Sequence, residues 1–281
     1  MEIAPATHVG PVELTVADLD RTIDYWQRVI GLRVLERDNG RASLGADGEL
    51  VRFVEEPGAA PDHGHTGLYH VALLVPDRPS LARWLAHGAR DEIELTGLSD
   101  HAVSEAIYLG DPDHHGIEIY ADRPRELWEG QVFQRMTTMP LDVESLFGEL
   151  ADPATEPFEG LPDGTVVGHV HLRVADVPKT VDFYHGVLGL GVMAQLGPAA
   201  AFLSAGGYHH HVGANTWESR GASPAPPGSA ALRHATIVLP DAEERDRVVE
   251  RVADAGQEPE ELEGGVIVRD PSRNALLLTS G

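Results

Sequence analysis

The sequence predicts an α+β fold in which four βαβββ modules pair into two cup-shaped, mixed-sheet half-barrels. Three observations predict it. Residues 10–34 and 168–192 match at 12 of 25 positions, without a gap, at an offset of 158 residues. A shorter repeat lies inside each half, as HVALLVPD from His70 and HATIVLPD from His234. Two segments that begin Asp-Pro, DPDHHGIEIY from Asp111 and DPSRNALLLT from Asp270, close the halves with an apolar strand. Self-similarity at fixed spacing marks one duplicated structural unit. The modules lie near 9–55, 67–121, 167–217 and 231–279. Residues 1–124 and 166–281 are then two domains, and 125–165 form a linker with helical fragments such as Asp142–Leu150.

Each opening strand shows a period of two. Val12, Leu14 and Val16 alternate with Pro11, Glu13 and Thr15, and Val170, Leu172 and Val174 with His169, His171 and Arg173. One face is apolar and packs inward; the other is polar. Helical spacing follows at Leu19, Ile23, Trp26 and Ile30, and at Val177, Val181, Tyr184 and Leu188. Asp18 and Asp176 are candidate N-caps, and Gly31 and Gly189 candidate stops. Further helices are expected near Ser80–His87 and Ala242–Ala255. Short strands close each module. A module of this kind buries only one sheet face, so modules pair, and a paired sheet curls into a cup with a polar interior.

Bulk composition narrows the function. The chain has 281 residues, 42% of them hydrophobic, and a formal net charge of −24. Such a polyanion repels phosphate backbones and anionic membrane surfaces, so nucleic acid is not an expected partner. No apolar run reaches the length of a membrane span, and no export signal opens the chain, which makes the cytoplasm the expected compartment. There are no cysteines, which excludes disulfides and thiol chemistry. Lys179 is the single lysine, so Schiff-base chemistry has little to draw on.

The residue seven before the capping Asp of each opening strand is Pro11, His70, His169 and His234, in module order. Three histidines at one structural position, on the polar side of apolar strands, point to ligation or catalysis. In the closing strand of module two, Glu118 and Tyr120 share a face between Ile117 and Ile119. The corresponding position in module four is Leu277. Module three carries His209, His210 and His211 in a segment that reads as a strand, so alternation directs at least one of them into the cup. Two imidazoles and one carboxylate with open positions are the donor set of non-haem Fe(II) oxygenases, and they also accept Zn, Mn or Ni.

With these modules and with His70, His169 and Glu118, the chain resembles the vicinal oxygen chelate superfamily of glyoxalases, extradiol catechol dioxygenases and the bleomycin- and fosfomycin-resistance proteins. A finer resemblance, to catechol-2,3-dioxygenase-like proteins, rests on GHVHLRVAD, SAGGYHHHVGANTW, GLYHVALLVPD and SDHAVSEAIYLGDPDHHGIEIYADRP. It implies His70, Glu118 and His169 as metal ligands, with His234, Glu13 and His171 as alternatives. It implies His101 as a substrate-handling residue, Tyr108 ten residues before the metal Glu, and one of His209–His211, taken as His210, as the acid–base group. Candidate substrate contacts are His209, His211, Tyr120, Asn215 and Trp217.

The donors are unevenly distributed. The cup from modules three and four holds His169 and His234 but Leu277 in place of a carboxylate. The cup from modules one and two holds His70 and Glu118 but Pro11 in place of a histidine. Only modules two and three together hold His70, Glu118, His169, His101 and the His triplet, so they are expected to form the working cup, within the chain or across a homo-oligomer. The leading expectation is an Fe(II) extradiol dioxygenase that acts on a catechol-like aromatic with O2. A glyoxalase-like metal-dependent isomerase or lyase and a metal-free small-molecule-binding protein are the alternatives. His63, His65, His114 and His115 read as solvated turn residues. Tyr25, Trp26, Phe183 and Tyr184 read as core.

Overall fold

The computed structural model describes residues 2–281. Module one comprises β1 (His8–Val16), α1 (Leu19–Tyr25), β2 (Arg33–Asp38), β3 (Arg41–Gly45) and β4 (Glu49–Glu55). After the short β5 (Ala60–Pro61), module two comprises β6 (Gly67–Leu74), α2 (Arg78–Arg90), β7 (Gly97–Asp100), β8 (Ser104–Gly110) and β9 (Gly116–Asp122). The linker carries α3 (Val132–Arg135), β10 (Met139–Pro140) and α4 (Val143–Phe147). Module three comprises β11 (Val166–Arg173), α5 (Val177–Val181), β12 (Gly191–Leu196), β13 (Ala200–Ser204) and β14 (Val212–Asn215). Beyond β15 (Ser229–Ala230), module four comprises β16 (Leu232–Leu239), α6 (Ala242–Asp254), β17 (Glu260–Leu262), β18 (Gly265–Arg269) and β19 (Ala275–Ser280).

One aspartate starts each module's helix. Asp18, Asp77, Asp176 and Asp241 each accept the backbone N–H three residues on, satisfying a donor that a helix start leaves free. The expected helices α1 and α5 are short and run on as π-helical turns, Trp26–Ile30 and Asp182–Val187. They end at Gly31 and Gly189, which take positive φ of 92° and 90°. Trp26 and Tyr184 are fully buried and Phe183 nearly so, while Tyr25 packs at the edge of the core.

The strands form two large mixed sheets. The first has the order β17-β18-β19-β16-β1-β4-β3-β2, the second β10-β7-β8-β9-β6-β11-β14-β13-β12. Each sheet therefore takes one module from residues 1–124 and one from 166–281. Modules one and four join through antiparallel β1 and β16, and modules two and three through antiparallel β6 and β11. At both seams the register shifts where a repeated glycine lies, between Val9 and Val12 around Gly10 and between Val167 and His169 at Gly168. These are bulges, which re-aim the side chains that follow them. Among the described residues no helix is long and apolar enough to cross a membrane.

Two local expectations are corrected. The segment of His209–His211 lies ahead of β14, and of the three His211 reaches the neighbouring strands, donating its N–H to the Leu203 carbonyl and accepting from Val170 N–H. His115 is buried and its Nε2 lies 2.9 Å from the Thr15 carbonyl, because the Asp111 carboxylate folds the turn inward by accepting N–H groups of Asp113 and His115. The Pro-rich segment 224–228 is tied to the first half: Pro224 bridges to Thr66, and the adjoining β15 pairs with β5.

Candidate metal centre and active site

The second sheet places its donors in two adjacent rows. Tyr108 on β8, Glu118 on β9, Ala72 on β6 and His169 on β11 are consecutive cross-strand partners. His70 and His171 are partners in the next row. Paired residues share a face of the sheet, as do residues two apart on a strand. The small side chain of Ala72 therefore leaves a hollow into which Glu118, His169 and His70 lean. His70 Nε2 and His169 Nε2 lie 2.9 and 3.1 Å from the same oxygen, Glu118 Oε2. The three donor atoms lie within 4.8 Å of one another, and all three residues are buried.

This arrangement fits a metal ion. Donors about 2.1 Å from a common ion lie roughly 3 Å apart when they subtend a right angle, which matches the spacing here. His70 Nε2 is buried and makes no hydrogen bond among the described residues, despite its nearness to Glu118. A lone pair that points past the carboxylate is what a ligand of a shared ion presents. Burial works to raise the Glu118 pKa, but the His169 and His70 imidazoles override it and hold the carboxyl well below its ordinary range. Burial pushes His169 down to about 4, against the opposing pull of Glu118. The site thus offers one carboxylate and a neutral imidazole with free lone pairs, which is the protonation state metals require.

Among the described residues the second cup offers no such set. Glu13 and His234 are cross-strand partners in the first sheet, but Glu13 accepts from Arg233 Nε at 2.8 Å and Leu277 packs against Ile267 and Ala275. Glu13 and His234 thus stand apart from the triad, in the other sheet. His171 lies beside His70, with ring centres 5.0 Å apart, outside the set of three converging donors.

A cavity of about 930 Å³ opens in front of the triad. Tyr108, His101, His210 and Trp217 line it, and Phe133 and Met136 of the linker wall its mouth. His101 Nδ1 lies 2.8 Å from the Thr137 carbonyl and its Nε2 2.8 Å from Tyr108 Oη. A carbonyl only accepts, so a neutral His101 donates from Nδ1 and accepts the Tyr108 proton at Nε2. Tyr108 then presents oxygen lone pairs to the cavity. Burial foremost, with the Glu118 charge behind it, raises the Tyr108 pKa well above the usual tyrosine value, so it stays protonated.

A buried relay lies behind His210. Asp122 Oδ1 is 2.9 Å from His209 Nε2, and His209 Nδ1 is 2.8 Å from His210 Nδ1. The carboxylate accepts, so His209 carries its proton on Nε2. A neutral His209 has only a lone pair on Nδ1, so His210 donates from Nδ1 and keeps a lone pair on Nε2. Burial lowers the His210 pKa well below the ordinary value. Its ring centre lies 4.0 Å from that of His169.

Of the expected substrate contacts, Trp217 lines the cavity. His209 is fully buried in the relay. His211 Nδ1 turns away to Ser204 Oγ at 3.0 Å, Tyr120 Oη bonds Tyr208 Oη at 2.8 Å, and Asn215 is fully buried. None of these four reaches the cavity wall, because each is held by neighbours behind it. Asp122 was missed by the sequence reading, although Glu118, Tyr120 and Asp122 continue one alternation along β9. The wall contributed by Phe133 and Met136 carries no comparable signal.

The profile of the Glyoxalase/Bleomycin resistance protein/Dioxygenase superfamily matches residues 8–119 and 166–278. Catechol-2,3-dioxygenase of Bacillus subtilis (strain 168) is 43% identical over 284 residues, covering 96% of each chain. Glyoxalase domain-containing protein 4 of Mus musculus is 28% identical over 124 residues, covering 41% of this chain and 42% of its own. The crystal structure of glyoxalase I from Zea mays superposes with a TM-score of 0.61 at 17% identity, covering 98% of this chain and 92% of its own, a likeness of fold. Two profile matches, one per half, and a near-full-length relative agree with the duplicated modules: the chain belongs to the Glyoxalase/Bleomycin resistance protein/Dioxygenase superfamily.

Proposed function

We propose that the protein is a non-haem Fe(II) extradiol dioxygenase that opens a catechol-type aromatic ring with O2. The dioxygenase class rests on the family and on the 43% identity to Catechol-2,3-dioxygenase over nearly the whole chain. The observation that carries the metal and the ring is the buried triad of His70, Glu118 and His169 at the floor of an open cavity. Two imidazole nitrogens and one carboxylate leave positions free for substrate, which suits iron(II); Zn, Mn and Ni accept the same donors. When bound, iron(II) supplies a redox path between catechol oxygens and O2.

The chain's own residues do the rest. His210 Nε2 takes a proton from an incoming catechol hydroxyl and returns it later in the turnover, while Asp122 and His209 hold the imidazole in the tautomer that permits this. Tyr108 accepts a hydrogen bond from the other hydroxyl, oriented by His101. Phe133 and Met136 restrict water at the mouth. A metal-free binding role leaves the convergence on Glu118 Oε2 unexplained, and no feature of the site favours an isomerase.

The test is anaerobic loading with Fe(II), removal of unbound metal, and oxygen uptake with a panel of substituted catechols. We expect about one iron per chain, uptake with at least one catechol and a coloured ring-opened product. Glu118→Ala and His70→Ala are expected to lose the iron on gel filtration. Full iron occupancy with no uptake across the panel overturns the reading.

A further inference from the structure

The strand that supplies His169 continues along the cavity wall with His171 and then Arg173. At about 3.3 Å per residue, these side chains leave β11 roughly 7 and 13 Å beyond His169. A catechol held at the triad with its substituent along this wall would bring that substituent to them. His171 stands in an aromatic box, its ring centre 5.2 Å from Tyr69, 5.7 Å from Phe202 and 5.6 Å from Trp217. Gly213 makes room for it, since a Cβ there would lie 2.8 Å from His171 Nδ1. His171 Nε2 and Arg173 Nε are buried and unpartnered among the described residues.

Arg173 is the only arginine or lysine among the described residues that line this cavity. A free guanidinium in that place would recruit a carboxylate. It is already occupied: Arg173 Nη2 is ion-paired with Asp62 Oδ1, and both residues are buried. Gly67 admits the pair, for a Cβ there would lie 2.8 Å from Asp62 Oδ2. Glu218 adds a second carboxylate at the same end of the cavity. An entering anion would meet two fixed negative charges and one spent positive charge in a partly desolvated space, an arrangement that rejects it. An uncharged substituent escapes that penalty and meets the aromatic wall of Tyr69, Phe202 and Trp217.

We propose that the site selects catechols with an uncharged substituent, and that the Asp62–Arg173 pair is the element that rejects carboxylated ones. The proposal rests on the catechol reading above. It is tested by anaerobic calorimetry on the Fe(II)-loaded protein with two ligands of nearly equal shape, 3,4-dihydroxyphenylacetate and its methyl ester. The ester is expected to bind at least about tenfold more tightly. Asp62→Asn, which frees Arg173, is expected to shrink that ratio by about fivefold or more, and the double variant Asp62→Asn with Arg173→Gln to restore the preference for the ester. Equal binding of the two ligands by the wild type, or tighter binding of the acid, overturns the proposal while leaving the catechol reading intact. The wild-type ratio decides this without any variant, so a poorly folding Asp62→Asn does not stall the test. A ratio unmoved in folded Asp62→Asn overturns the role of the pair. Binding of neither ligand overturns both readings.

Discussion

At the scale of single residues, the relay behind His210 governs which of its nitrogens faces the cavity. Asp122 touches neither cavity nor triad; it acts through His209. Replacing it with Asn permits the amide N–H2 to face His209 Nε2, which then becomes the acceptor, and the proton order along the chain inverts. Asp122→Asn is therefore expected to lower kcat by about 100-fold or more while KM for the catechol and metal content change little, because positioned proton transfer contributes roughly 10²–10⁴-fold. Stopped-flow and steady-state kinetics on the iron-loaded variant check this, and a matched rise in KM would point to a packing role instead. The triad itself was legible because an N-capping Asp fixes the phase of each opening strand: counting back seven residues lands on the same side of the sheet in every module. The relay was illegible for a related reason. His209 and His210 lie ahead of β14 and its ladder, so alternation says nothing about where they point, and their directions come from Asp122 and the cavity.

At the scale of elements, the bulge at Gly168 couples fold to site. The position is glycine in both long repeats, and in each the neighbouring strands approach closely. A Cβ at Gly168 would lie 1.8 Å from Tyr120 Oη and 3.1 Å from Leu74 Cβ. Tyr120 is fully buried and tied to Tyr208, which also donates to Asp122, so the ring has no way to swing aside. Gly168→Ala is expected to destabilise the protein by about 1–3 kcal/mol, as overpacking in a filled core does. It should also weaken iron retention, since His169 follows the bulge directly. Urea denaturation and metal analysis of the purified variant measure the two effects. The repeated glycine was visible in the sequence; that it marks a bulge was not, because the clash involves Tyr120, 48 positions earlier in the chain.

At the scale of the whole molecule, the pairing of modules two and three was legible from the donors alone, since no other pair brings His70, Glu118, His169, His101 and the His209–His211 run together. Its physical basis is the antiparallel seam of β6 with β11, which brings His70 and Glu118 from the first half to His169 of the second. Segments 1–124 and 166–281 produced separately are expected to retain no stoichiometric Fe(II), and co-expressed segments to recover it; calorimetric Fe(II) titration distinguishes the cases. The same seam sets an order of events during synthesis. When β9 has left the ribosome, β1 and β6 still lack their partners β16 and β11, and residues 123–165 must be made before β11 begins. At translation rates of about 5–20 residues per second that interval lasts several seconds. The nascent first half spends it with two open strand edges and only His70 and Glu118 of the three donors, so any metal loading at the triad belongs to the finished chain.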